Sequence, residues 1–265
     1  MKLRPHLGPA LGYAAIVVAF FAPVLLRGGV LLPVDNLFAF EPWRSFAPRF
    51  GVDEPHNPLI GDAILQNYPW KRLILEAVAQ GTLPLWNPYI LAGQPFLATG
   101  QPGALYPFGV LFVLLPTAHA YAPFIALHLW LGAVLTYTFL VTLGARRLPA
   151  FLGGAVFALS GPLVVSFLWP MVVSAFVWLP ALLTLVELCV RRFERLGGAS
   201  PSSLAATAVT ALPCALGSGV VTGLSFLAGH FEFSFYVVAS AGMYAMGRLG
   251  ALVVSRALRQ ALGHA

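Results

Sequence analysis

Apolar and polar positions fall in long blocks along this chain. Leu7 to Leu26 is almost wholly apolar, which matches the roughly 20 residues that a bilayer core takes per helix. A second apolar block runs from about His119 to Leu143. The 43 residues from 148 to 190 leave room for two more spans and a turn. That turn is expected near Trp169-Pro170, because Trp favours the membrane interface. Two further blocks cover about Leu204 to Ala228 and about Phe233 to Gly250. The pattern predicts an all-α polytopic membrane protein of about six transmembrane helices. Phe108 to Leu115 is also apolar, but it is short and bracketed by Pro107 and Pro116. It reads as an interfacial or re-entrant segment.

Between the first two spans the pattern changes. The interval from about Val34 to Pro107 carries six of the nine acidic residues, and eleven of the twenty-two prolines lie between Pro33 and Pro107. Within it, Pro69 suits a first helical position and Gly81 a C-terminal stop. Trp70, Leu73, Ile74, Ala77 and Val78 recur at the spacing of one apolar helix face. A twelve-residue amphipathic helix of this kind is expected to lie in the interface. The chain then divides as one membrane domain over residues 1–265: a first helix at 7–26, an outer loop at 27–107, the remaining helices at 108–250 and a basic tail at 251–265.

Composition fits this division. Hydrophobic residues make up 59% and charged residues 9% of the chain, against roughly 25% charged in soluble domains. The net charge of +6 is not a nucleic-acid signal, since ten of the fifteen Lys/Arg cluster at the ends of apolar blocks. Under the positive-inside rule these clusters mark cytoplasmic ends. Both termini are then cytoplasmic, and the acidic interval lies outside. The apolar stretch before Arg27 is long for a signal-peptide core and lacks a clear small-x-small cleavage site, so it is read as an uncleaved helix. Cys189 and Cys214 sit in apolar surroundings and read as packing residues, with no Cys/His ligand spacing and no glycine-rich nucleotide motif.

The outer interval holds the candidate chemistry. If Asp62 to Gln66 is helical, carboxylate and amide share a face one turn apart. That pair is suited to accepting a proton from a hydroxyl while the amide orients the acceptor. The competing reading makes Asp62 a helix cap before Pro69. Asp35, just past the first helix, is read either as a metal or sugar ligand or as an Asx-turn residue. Tyr68, Trp86, Asn87 and Gln101 sit in aromatic and amide words that suit carbohydrate, whose C–H faces stack on rings. Alone, each also reads as aromatic belt or turn. His230 and Glu232 fall in the outer turn between the last two helices and are candidates as interfacial ionisable residues. Glu187, one turn before Arg191, reads as an ion-paired helix end.

These words together resemble the YfhO-like bacterial membrane protein family, within the GT-C superfamily of glycosyltransferases. The matching residues are Gly61-Asp62, Gln66, Tyr68-Pro69-Trp70, Gly81, Leu83-Pro84-Leu85-Trp86-Asn87-Pro88-Tyr89, Gly93, Pro95-Phe96, Gln101, Tyr106-Pro107, Leu127-His128-Leu129, Phe157-Ala158-Leu159-Ser160-Gly161, Ala228-Gly229-His230 and Phe235-Tyr236. The resemblance implies an enzyme of the bacterial cytoplasmic membrane that takes a sugar from a polyprenyl-phosphate donor and adds it to a cell-envelope acceptor outside. It implies an acidic residue in the first outer loop acting as base or metal ligand, a role that maps to Asp62 first and Asp35 second. Whether a divalent metal ion takes part stays open. Family members are usually longer, so the chain looks like an N-terminal part or a truncated or split member. The alternative is therefore a non-catalytic membrane subunit whose partner supplies further helices.

Overall fold

The computed structural model describes residues 4–195 and 204–263. Its helices in chain order are α1 (Arg4–Leu26), α2 (Tyr68–Ala79), α3 (Val110–Leu114), α4 (Thr117–Leu143), α5 (Arg147–Ala158), α6 (Gly161–Val165), α7 (Pro170–Phe176), α8 (Leu179–Arg195), α9 (Leu204–Leu227) and α10 (Phe231–Gly263). A two-residue hairpin, β1 (Trp86–Asn87) against β2 (Gln94–Pro95), is antiparallel with Trp86 opposite Pro95. Five stretches are long and apolar enough to cross a membrane: Leu7–Leu26, Thr117–Leu143, Arg147–Leu168, Pro170–Glu194 and Phe231–Ser255. A shorter apolar helical stretch, Ala211–Leu227, lies within α9. The chain is thus an all-α membrane protein, and the break between the third and fourth stretches falls at Trp169, as the sequence predicts.

α4 is the centre of the bundle, in contact with α1, α5, α7 and α8. Its length and apolar character bury Tyr121, Ile125, His128, Leu129 and Ala133 almost completely. Where α4 meets α1, Trp130 Nε1 donates to Ala10 O at 2.9 Å, and the Tyr13 hydroxyl donates to Phe151 O of α5 at 2.8 Å. α8 packs on α9 and α10. A charged knot joins two of them: Glu187 on α8 accepts from Arg191 one turn on, and from Tyr244 and Arg248 on α10. The two cysteines are free thiols, as expected of packing residues.

The acidic interval is folded rather than loose. It includes short 3-10 turns at Val34–Ala39 and Trp43–Phe50, a π-turn at Ala63–Asn67, and α2. The π-turn runs directly into Pro69. A proline ring clashes with the carbonyl four residues back. Here the chain widens, and the Tyr68 amide donates to Ala63 O. α2 forms close to the predicted limits, but it buries Trp70, Lys71 and Ala77 and leaves Val78 exposed. Its buried face is therefore turned toward Lys71, which lies on the inner side of the helix against α3 and α4.

Candidate functional site

Three buried polar ties order the outer interval: two hold it to the membrane bundle, and one, from α2, cross-links it internally. The first joins the π-turn to α4: the Tyr121 hydroxyl donates to Asn67 Oδ1 at 2.8 Å, and both residues are buried. The second starts from α2, where Lys71 Nζ donates to Pro102 O at 2.7 Å and lies 5.1 Å from the centre of the Phe112 ring. The third is a relay at the base of the loop. His128 Nδ1 lies 2.7 Å from Phe124 O, which can only accept, so the ring proton is on Nδ1. Nε2 is then the acceptor for the Tyr106 hydroxyl at 2.8 Å, while Trp178 Nε1 donates to the Tyr106 oxygen at 3.2 Å. Every polar atom of this relay has a partner, which is what a buried network needs to be stabilising. Burial pushes the Tyr106 phenol well above its ordinary range.

A fourth contact is steric. Loop residues Gln101 to Gly103 lie flat on the turn between α9 and α10. A Cβ added at Gly229, whose φ is +101°, would meet Gln101 O at 2.5 Å and Gly103 N at 2.9 Å. A side chain there would push the loop off the bundle. The outer interval is thereby seated on both α4 and the α9–α10 turn.

On this platform the sequence-predicted residues divide. Asp62 is exposed at the start of the π-turn, with no hydrogen bond from its side chain to the turn. The capping alternative is not realised. Gln66 is likewise exposed on the same turn, and Tyr68 is half-buried against the core. Asp35 lies on the neighbouring 3-10 turn, which packs against the π-turn. Its carboxylate accepts the His56 amide at 2.6 Å, which ties the loop together. Asn36 beside it donates to Asn57 O at 3.1 Å.

Asn87 is buried and its Oδ1 accepts the Tyr89 amide at 3.0 Å, the Asx-turn geometry of an Asn-Pro corner. Trp86 is 54% exposed and lies against Gly93, where a Cβ would sit 2.5 Å from Nε1. The Nε1 edge of the indole thus lies against the Gly93 backbone. Gln101 is exposed, with its carbonyl on Gly229. His230 is half-buried with its ring edge-on to Phe233, and burial lowers its pKa. Glu232 is exposed and accepts the Tyr236 hydroxyl at 2.6 Å.

The residues that sequence reasoning missed are the ties themselves. Asn67, Lys71, Tyr106, Tyr121, His128 and Trp178 are buried polar or amphipathic groups with distant partners. The available signal was a lysine inside an apolar helix stripe and a histidine inside a span. Among the described residues, no group of three His, Cys, Asp or Glu side chains comes together to hold a metal ion. No family model matches this chain, and neither a curated protein nor a solved structure does.

Proposed function

We propose that this chain is a membrane glycosyltransferase module that moves a sugar from a polyprenyl-phosphate donor to a cell-envelope acceptor on the outer face of the bacterial cytoplasmic membrane. In this reading the bundle has six spans, both termini are cytoplasmic, and α2 lies along the outer leaflet. One observation carries the proposal: Asp62 presents an exposed carboxylate on a loop that buried hydrogen bonds fix to the bundle. A base must be held in place and yet be reachable, and this arrangement meets both needs. Asp35, by contrast, is engaged by the His56 amide.

In the proposed step the acceptor hydroxyl gives its proton to Asp62 as its oxygen bonds to the anomeric carbon. The bond from that carbon to the donor phosphate breaks, and the phosphate leaves with the electron pair. A phosphate needs no strong acid to leave, so one carboxylate suffices. Gln66 orients the acceptor, and the exposed Trp86 indole stacks on the sugar. Asp62→Asn keeps shape and hydrogen bonding but removes the base, so transfer by the purified protein should drop about 100-fold. Transfer by that variant at the wild-type rate would reject Asp62 as the base.

A further inference from the structure

Lys71 is a buried cation with too few partners. Its residue is 9% exposed, and its ammonium has three N–H donors. Pro102 O accepts one of them, and the Phe112 ring faces the charge. Among the described residues no carboxylate pairs with it. Lysines are almost never fully buried unless paired, because an uncompensated charge in an apolar site is costly. The charge lines a slot of about 100 Å³ between α2, α3 and the loop at 103–106, whose walls include Ile74, Val78, Gly103, Val110 and Val113. That volume is well above the about 10–15 Å³ a single water needs. The rim is hydrocarbon: Val78, Val110 and Val113 are 49%, 50% and 51% exposed.

We infer that Lys71 and this slot bind the phosphate of a single-chain lipid phosphate, with the hydrocarbon tail leaving over Val78, Val110 and Val113. Phosphate oxygens supply acceptors for the two open N–H groups and the missing negative charge. Burial lowers the Lys71 pKa to about 8, which leaves the ammonium protonated at neutral pH. As the place where the donor phosphate rests, the site builds on the proposed transfer reaction. Its test measures binding alone, so it stands or falls apart from turnover.

The test is thermal unfolding of the full chain in neutral maltoside micelles, with dodecyl phosphate, dodecanoate, dodecanol and inorganic phosphate as probes. Dodecyl phosphate should raise the wild-type Tm, with an apparent Kd at least about 10-fold weaker for Lys71→Met. The variant keeps the stem and loses an uncompensated buried charge, so it is expected to fold. Equal Tm shifts in wild type and Lys71→Met would overturn the site. So would dodecanoate or dodecanol acting as strongly as dodecyl phosphate, and a full shift from inorganic phosphate would overturn the lipid assignment.

Discussion

Replacing Glu187 by alanine should lower the unfolding free energy by about 3 kcal/mol, the lower end of what removing one partner of a buried ion pair costs. The side chain is 2% exposed. Both of its oxygens are fully used: Oε1 accepts from Arg191 Nε at 2.8 Å and Arg248 Nη2 at 3.1 Å, and Oε2 from Arg248 Nε at 2.7 Å and Tyr244 Oη at 2.8 Å. Alanine leaves two guanidinium groups facing each other. Their side chains are 36% and 29% exposed, so water relieves part of the repulsion and the cost stays at the lower end. Equilibrium unfolding in detergent measures the loss. Glu187→Leu combined with Arg248→Met should recover most of it, because an apolar replacement leaves no charge stranded. Wild-type stability in Glu187→Ala would show that the knot does not join α8 to α10.

Lys71 should make the ligand-free protein more stable as the pH rises, against the usual trend of alkaline unfolding. Burial lowers its pKa from 10.5 to about 8, so between those values the unfolded chain holds a proton that the folded one has shed. Stability rises with pH wherever the unfolded state binds more protons. The penalty is therefore fully present below about pH 8 and gone above about pH 10.5. Its amplitude is on the order of 3 kcal/mol, since each tenfold loss of proton affinity is worth about 1.4 kcal/mol. Other groups titrate in the same range, so the quantity to measure is the difference between wild type and Lys71→Met. That difference should close steadily across the window. A constant difference would mean that Lys71 keeps its ordinary proton affinity and is not desolvated.

Much of the architecture was legible because it is written locally. A run of apolar residues of bilayer length needs no partner to be recognised, and Trp169-Pro170 marks its own turn. Pro69 and Gly81 likewise bracket α2 to within about a residue. The face that α2 buries was not legible. Periodicity put Leu73, Ile74 and Val78 on a face turned to the membrane interface, and nothing nearby in sequence shows that Pro102 O waits for the Lys71 ammonium. The other ties fail for the same reason, since Asn67 meets a hydroxyl 54 positions away and Trp178 meets one 72 positions away. Glu187 shows both cases in one residue. Its pairing with Arg191 is an i, i+4 signal, whereas Arg248 lies 61 positions on. For the candidate site, Asp62 and Gln66 could be picked out as a pair on one turn. That Asp35 and Asn87 are engaged by backbone amides, leaving Asp62 as the exposed carboxylate of the pair, needed the folded loop.

Sugar transfer from a lipid carrier at the outer face can be measured with sidedness in sealed vesicles, right-side-out and inside-out. The vesicles contain the protein and a polyprenyl-phosphate sugar labelled in the sugar, with a membrane-impermeant acceptor added outside. Right-side-out vesicles are expected to move label to the acceptor and to leave free polyprenyl phosphate in equal amount, while inside-out vesicles leave the donor intact. No transfer in either orientation, with the protein folded by its unfolding transition, would contradict a transferase and favour a non-catalytic membrane subunit.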